Sequence, residues 1–146
     1  MQRLFPTFTL AAAGLLWGCA ALEPAPDRWP KTPEGHFSAA GEYFQVTGVG
    51  KPDPKLLTDT QRRSEARDDA LRDAWRRLKE YLEALPTREG PLGELAAQRP
   101  ALRDRIDRVV LGAVPVSVHF DSDGSAAVAI RVRKDALNAA FGTEFR

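Results

Sequence analysis

The chain has 146 residues, of which 43% are hydrophobic and 28% are charged, a composition that is typical of a folded globular protein and excludes general disorder. Its 21 basic and 20 acidic residues nearly cancel, so no overall field attracts nucleic acid or an anionic membrane surface. The single cysteine, Cys19, excludes an intramolecular disulfide bond.

Residues 1–18 are predicted to be a lipoprotein signal peptide. Arg3 supplies the positive charge that precedes an uncharged, largely apolar segment at 4–17. The sequence LWGC at 16–19 resembles the lipobox of bacterial lipoproteins, and this resemblance implies cleavage before Cys19 and acylation of its sulfur and its new amine. Two alternatives stay open. One is an uncleaved transmembrane anchor, since the apolar stretch approaches the required ~20 residues, and the other is a buried structural cysteine.

Residues 19–41 are predicted to be the lipidated cysteine and a proline-rich tether. The segment contains four prolines and no helical or strand period, and such linkers adopt an extended polyproline II conformation. His36 is interpreted as one of its solvated residues. Because Ala20 and not Asp follows Cys19, the lipoprotein resemblance implies outer-membrane localisation. Three acyl chains, at ~0.8 kcal/mol per buried methylene, would make the attachment essentially permanent.

The first β-strand is predicted at Glu42–Gly50, which is rich in β-branched and aromatic residues. Phe44, Val46 and Gly48 fall on one face of this strand. Gly48 and Gly50 do not complete a dinucleotide fingerprint, and a proline replaces the Ser or Thr that a phosphate-binding loop requires. We therefore expect these glycines to let a helix pack close to the strand.

A long helix is predicted from Thr58 to Leu85. The stretch lacks Gly and Pro, and its apolar residues recur at i, i+3, i+4 and i+7. Thr58 and Gln61 form a capping-box pattern, and Pro86 ends the helix. The other face interleaves arginines with acidic residues, which predicts self-paired surface charges and no nucleic-acid interface. The predicted i, i+4 pairs are Asp68–Arg72, Asp73–Arg77, Arg76–Glu80 and Lys79–Glu83.

Two shorter helices are predicted after a turn at 87–91. The first covers Leu92–Gln98, and the second runs from Ala101 to about Arg108, with Pro100 as its first residue. Their apolar residues are expected to complete the core. These residues are Leu92, Leu95, Leu102 and Ile106.

A β-hairpin is predicted from two strands, Val109–Phe120 and Ser125–Arg133. Their apolar faces match in one register, which leaves a three-residue loop with Gly124 in the left-handed conformation. The pairs that define this register are Phe120 with Ala126 and Val118 with Val128.

Further details of this region concern the first hairpin strand and the C-terminal helix. Gly112 indicates a bulge. Pro115 has no N–H to donate, so its strand is expected at an edge of the sheet. A final helix is predicted at Asp135–Phe141 and ends at Gly142. The first hairpin strand is expected to turn one face inward, with Val114, Val116, Val118 and Phe120.

The sequence shows no catalytic, cofactor-binding or metal-binding constellation. Asp121 and Asp123 supply two acidic ligands of a calcium loop, but Val132 stands where an EF-hand has Glu. His119 has no neighbouring His or Cys and is interpreted as a surface histidine. A hydrolase would need a base beside its nucleophile. The chain is therefore not expected to be an enzyme or to hold a cofactor.

The predicted order is β-α-α-β-β-α, an α+β fold in which residues 42–146 form a small three-stranded sheet with one long helix and shorter helices on one face. Small residues at structural spacings carry a resemblance to a known family. They are VTGVG at 46–50, Ala66, Ala70 and Ala74 on the long helix, GAV at 112–114 and VAIRV at 128–132. Over about residues 44 to 133 the chain resembles the LPP-twenty lipoprotein family, which includes FlgP-like flagellar outer-membrane proteins and is similar to the N-terminal domain of FlgT.

The resemblance implies a periplasm-facing, membrane-anchored module that associates with itself or with envelope or flagellar proteins; FlgP-like relatives build rings around the flagellar motor. A structural or assembly lipoprotein would have a self-complementary surface at the Pro115 edge. The alternative is a binding module for peptidoglycan, a small ligand or a partner protein. It would have a pocket between the long helix and the sheet, lined by Tyr43, Trp75 or Tyr81.

Overall fold

The computed structural model describes residues 36–142, which form a four-stranded sheet, a two-stranded ribbon and four helices. In chain order the elements are β1 (Phe37–Ala40), β2 (Tyr43–Gly50), α1 (Asp59–Glu83), β3 (Pro86–Thr87), β4 (Gly90–Pro91), α2 (Leu92–Gln98), α3 (Pro100–Leu111), β5 (Val114–Phe120), β6 (Ala126–Arg133) and α4 (Lys134–Phe141).

The main sheet is antiparallel, with the strand order β1-β2-β6-β5. Helix α1 lies across one face of the sheet, over β2 and β6. Phe44 of β2, Ile130 of β6 and Leu78 of α1 are almost completely buried between these layers. Each such side chain contributes about 1.5–3 kcal/mol of hydrophobic stabilisation. The α+β class predicted from the sequence is confirmed.

The long helix begins as predicted. The hydroxyl of Thr58 accepts a hydrogen bond from the main-chain N–H of Gln61 at 3.2 Å, and the Gln61 side chain accepts one from the Thr58 N–H at 3.3 Å. This reciprocal capping box satisfies main-chain donors that a helix terminus leaves unpaired. The helix ends at Glu83, two residues before the predicted Leu85.

The close approach predicted for Gly48 and Gly50 is confirmed. A Cβ built on Gly48 would collide with the main chain of α1 at Ala74, and one built on Gly50 would collide with it at Ala66. Both alanines are fully buried. Strand β2 and helix α1 therefore contact each other through their backbones, and this fixes how the helix lies on the sheet.

The sheet has four strands and not the predicted three. The additional strand is β1, which lies within the segment predicted to be tether. The ring of Phe37 packs on those of Phe44 and Tyr81, with centroid distances of 5.8 and 5.4 Å. His36 accepts a main-chain hydrogen bond from the Thr47 N–H at 2.7 Å and is half-buried, so it is not a solvated tether residue.

The strand predicted at Val109–Phe120 begins only at Val114. The residues before Gly112 belong to α3. Val110 continues the helical spacing of Leu102 and Ile106 and is buried with them. Burial on the helix therefore outweighs the β propensity of the valines.

The bulge predicted at Gly112 lies instead inside β5. Gly112 is the C-cap of α3, and the register shifts between Pro115 and Ser117. An extra residue in one strand reverses the alternation of faces. Val114 therefore pairs with Arg131 on the exposed face and does not face the helices as predicted.

The hairpin register and loop are confirmed. Asp121 donates its N–H to the Ser125 carbonyl at 2.9 Å, and Gly124 has φ +84°. The edge position of β5, predicted from Pro115, is also confirmed. The predicted pairs are present, Phe120 with Ala126 and Val118 with Val128.

The three shorter helices are confirmed with small changes in their bounds. Helix α2 has the predicted ends, α3 runs on to Leu111, and α4 begins at Lys134 and ends at Gly142, which has φ +64°. Their apolar side chains, among them Leu92, Ile106 and Leu137, are buried. The helices thus extend the core beyond the sheet.

Candidate binding groove

A groove of about 940 Å³ opens where β6 runs past the start of β5. The register of the two strands begins at Val114 and Arg131. The last two residues of β6 therefore pair with β2 on one side but have no strand beside them on the β5 side. Helices α3 and α4 flank this gap. The groove is lined by Tyr43, Arg105, Arg108, Val109, Gly112, Val114, Val116, Arg131, Val132, Arg133, Ala136, Ala139 and Ala140.

The floor of the groove is apolar. It consists of the valines of the lining, Val109, Val114, Val116 and Val132, together with the alanines of α4. On the α4 side the lining residues are alanines, whose short side chains leave space that larger ones would fill. An apolar concave surface of this size is the usual form of a small-molecule site.

Four arginines line the same groove and are called its arginine rim. Arg105 donates a hydrogen bond to the Ala140 carbonyl at 3.0 Å, and Arg108 donates one to the Asp104 carbonyl at 3.3 Å. Both of these hydrogen bonds are thus accepted by main-chain oxygens. A carbonyl oxygen carries no net charge, so the positive charge of each guanidinium is not balanced by that partner.

The other two arginines project from β6. Arg131 donates to the Gln45 side-chain oxygen at 2.9 Å, and its guanidinium carbon lies 5.7 Å from the centroid of the Tyr43 ring. Arg133 pairs with Asp135 at 2.7 Å. This pair lowers the pKa of the Asp135 carboxyl below its ordinary value, chiefly through the hydrogen bond from Arg133. Among the four arginines, and within residues 36–142, only Arg133 lies within ion-pair distance of a carboxylate.

The charged side chains of α1, unlike the arginines of the groove, are mostly paired with opposite charges. Two of the four predicted i, i+4 pairs are present, Arg77–Asp73 and Arg76–Glu80. The other two are wrong, because Arg72 reaches Glu65 at 3.1 Å and Lys79 reaches Asp107 of α3 at 2.8 Å. The predicted outcome, a self-paired helix surface, still holds. Among the described residues, arginines without a carboxylate partner predominate at the groove, whereas most cations of the long helix are paired.

Strand β5 forms a second unusual surface. Six of its seven residues are exposed. Val114, Val116 and Val118 are 60%, 44% and 44% exposed. Exposed valines on an edge strand are uncommon, because such strands can pair with another chain. Pro115 withholds one main-chain donor and so limits this pairing.

A pocket between α1 and the sheet was predicted to be lined by Tyr43, Trp75 or Tyr81. This prediction is wrong for Tyr81 and Trp75. Tyr81 is 8% exposed and stacks on Phe44 with a centroid distance of 4.8 Å. Burial raises the pKa of its hydroxyl. Trp75 is partly buried against the core. Tyr43 does line a groove, but that groove lies beside α3 and α4 and not between α1 and the sheet.

Asp121 and Asp123, which were considered as calcium ligands, make hydrogen bonds within the hairpin loop. Asp123 accepts hydrogen bonds from the Ser125 N–H at 2.9 Å and from its hydroxyl at 2.6 Å, and the hydroxyl bond in particular lowers the pKa of the Asp123 carboxyl. The His119 side chain is 78% exposed, 3.5 Å from Asp121. Among residues 36–142 no group of three or more His, Cys, Asp or Glu is placed to hold a metal ion.

Cys19, the predicted lipidation site, lies outside the described residues. Within the part of the chain that the structure describes, no helix has the length and apolarity needed to cross a bilayer. The search against protein-family models, the search of curated proteins and the search of solved structures each found no match.

The groove is not predicted from the sequence. Its only local signal is the spacing of Arg105 and Arg108, which places both on one side of α3. Three separate elements, α3, α4 and β6, create the rest by packing together.

Proposed function

We propose that the protein is an outer-membrane-anchored periplasmic lipoprotein with a structural or assembly role in the cell envelope. The N-terminal sequence supports the anchor, through its signal-peptide pattern and the cysteine at position 19. The resemblance to the LPP-twenty family supports the envelope role. The observation that carries the assembly role is the exposed, apolar edge strand β5.

The main chain of β5 supports pairing with a second copy. The bond from the Asp121 N–H to the Ser125 carbonyl shows which residues direct their main-chain groups toward β6. Because this direction alternates along an antiparallel strand, Val118 and Phe120 direct theirs to the free edge. Two copies related by a two-fold axis at His119 would join Val118 of each to Phe120 of the other. This pairing would cover the exposed Val118.

The first test is the mass of the full-length protein extracted from outer membranes in mild detergent, measured by light scattering and viewed by negative-stain imaging. A dimer or a larger closed assembly is expected. Val118→Lys should convert it to monomers, because a lysine at the pairing edge opposes strand addition. Leu57→Lys is the control, since it also removes a highly exposed apolar residue but lies outside β5.

Flagellar association is the narrower form of the proposal. Closed rings in the images would support it, and the next step would be a motility assay of cells that carry Val118→Lys. A monodisperse monomer for the unsubstituted protein would overturn the assembly role. Absence of the protein from the outer membrane would overturn the interpretation of Cys19 and Ala20.

The second candidate function is a periplasmic binding module, and the groove at α3 and α4 favours it. Thirteen residues line the groove, whereas each side of a stable protein–protein interface has roughly 20–30. The groove alone therefore fits a small ligand better than a folded partner.

A further inference from the structure

We infer that the groove between α3, α4 and the end of β6 binds a long-chain fatty acid, with its carboxylate at the arginine rim and its acyl chain on the apolar floor. This inference does not rest on the proposed assembly role. The groove and β5 share Val114 and Val116, but Val118, the residue that the proposed pairing would cover, is not among the residues that line the groove.

The size of the groove fits such a ligand. Its volume of about 940 Å³ lies within the range of roughly 300–1,000 Å³ that small-molecule sites occupy. An extended acyl chain matches a floor of valine and alanine side chains, because burying methylene groups there releases water from both surfaces.

The charge at the groove selects the head group. Within residues 36–142, no carboxylate lies within ion-pair distance of Arg105, Arg108 or Arg131. The cations of α1, in contrast, are largely paired within the protein. A planar guanidinium can donate two parallel hydrogen bonds to one carboxylate. The groove therefore has apolar surface and unbalanced positive charge side by side, the complement of an anionic amphiphile.

The arrangement also explains how both parts of one molecule are held. Arg105 and Arg108 lie on successive turns of α3, and Arg131 reaches the groove from β6. Val109, next to Arg108 in the chain, belongs to the floor. A carboxylate at the α3 rim would thus place the first methylenes of its chain directly over apolar side chains.

The test uses the full-length protein in nanodiscs of zwitterionic phosphatidylcholine and a palmitate analogue with a photoreactive diazirine on its chain. After illumination, mass spectrometry locates the labelled residues. Labelling is expected on α3, α4 and the end of β6, and unlabelled palmitate should compete with it. Palmitate methyl ester has the same chain without the charge and should compete about tenfold less well.

Two variants test the two parts of the site. Arg105→Gln with Arg108→Gln should reduce labelling about tenfold or more, whereas Arg103→Gln, on the same helix but outside the groove, should not. Ala136→Trp fills the groove from an exposed position on α4 and should abolish labelling. Ala97→Trp, at an exposed position on α2, is its control. Circular dichroism of every variant verifies that the fold is retained.

Three results would overturn the inference. The first is labelling confined to the N-terminal segment, which would indicate partition into the bilayer only. The second is equal competition by the methyl ester, which would remove the role of the arginines. The third is stronger competition by lysophosphatidylglycerol than by palmitate, which would replace the carboxylate with a phosphate head group.

Discussion

Gly48 of β2 lies against the backbone of α1 at Ala74, so close that a Cβ on Gly48 would be 2.8 Å from the Ala74 Cα and would overlap its nitrogen. The atoms in the way belong to the main chain and cannot rotate aside. The helix can therefore lie this close to the sheet only because Gly48 has a hydrogen atom where every other residue has a Cβ.

Gly48→Ala is expected to lower the free energy of unfolding by about 1–3 kcal/mol, because extra volume in a packed interface forces backbone shifts. Urea unfolding followed by circular dichroism measures this. Adding Ala74→Gly should not restore stability, since the overlap involves main-chain atoms. Val49→Ala, on the opposite face of the same strand, is the control. Unchanged stability of Gly48→Ala would mean that α1 can move away from the sheet at little cost.

Asp73 makes a second connection between α1 and β2. Its carboxylate accepts a hydrogen bond from the Val49 N–H at 2.9 Å and one from Arg77 at 2.7 Å. Burial alone would raise the pKa of this carboxyl, but the hydrogen bonds from Arg77, Val49 and Arg76 outweigh burial and lower the pKa below its ordinary value. The ionised form is thus stabilised by folding.

Because the folded-state pKa of Asp73 is lowered, its contribution to stability is present above the unfolded value of about 3.9 and is lost as the pH falls through the folded value. Asp73→Asn should therefore lower the free energy of unfolding at pH 7 by about 1–3 kcal/mol. The difference from the unsubstituted protein should shrink below about pH 4. Asp68→Asn, which removes only a surface pair with Arg67, should cost less than about 1 kcal/mol. A difference independent of pH would contradict this account.

Gly124 closes the hairpin with φ +84°, a conformation that side chains other than hydrogen disfavour. Gly124→Ala should cost about 1–2 kcal/mol. Gly124→Asn should cost less, since Asn tolerates the left-handed region better. Space is not the cause, because a Cβ there would be 3.4 Å from Pro52, an ordinary contact. Urea unfolding of both variants, with Ser122→Ala as the control in the same loop, measures the order. Equal stability of all three would show that the loop does not require positive φ.

The parts of the fold that the sequence predicts are those where the local pattern and the burial agree. In α1 the helical period, the Thr58 cap and the small residues facing Gly48 all point to one structure. The hairpin register follows from matching the apolar faces of its strands, and a register shifted by one residue would expose them.

Strand β5 was predicted to begin at Val109 but begins at Val114. This difference shows where local pattern and burial disagree. Val109 and Val110 favour β structure by propensity, yet they extend α3. The spacing of Leu102, Ile106 and Val110 is that of one buried helix face, and it continues the helical period beyond Arg108.

Apart from the spacing of Arg105 and Arg108, no local pattern indicates the groove. Its arginines and apolar residues are ordinary surface positions within their own helices or strands. They form a site because β6 extends two residues beyond the start of β5 and because α3 and α4 pack beside this unpaired end of β6. This arrangement depends on the bulge between Pro115 and Ser117 and on the start of β5 at Val114.

Strand β1 is the element that the sequence least reveals, and a last prediction concerns what holds it in place. Its four residues show no alternation of apolar and polar side chains, and they follow a proline-rich segment. The ring contacts of Phe37 with Phe44 and Tyr81 attach the strand to the core.

Phe37→Ala should therefore release β1 while it leaves the rest of the sheet paired. The expected loss of stability is about 1–3 kcal/mol, since the Phe37 ring is only partly buried. Hydrogen exchange of the Thr47 amide, which donates to the His36 carbonyl, should accelerate much more than exchange of the Val128 amide in β6. Ser38→Ala, an exposed position on the same strand, is the control and should leave both rates unchanged. If the Thr47 amide of Phe37→Ala exchanges as slowly as in the unsubstituted protein, main-chain pairing alone holds β1, and the aromatic contact is not what attaches it.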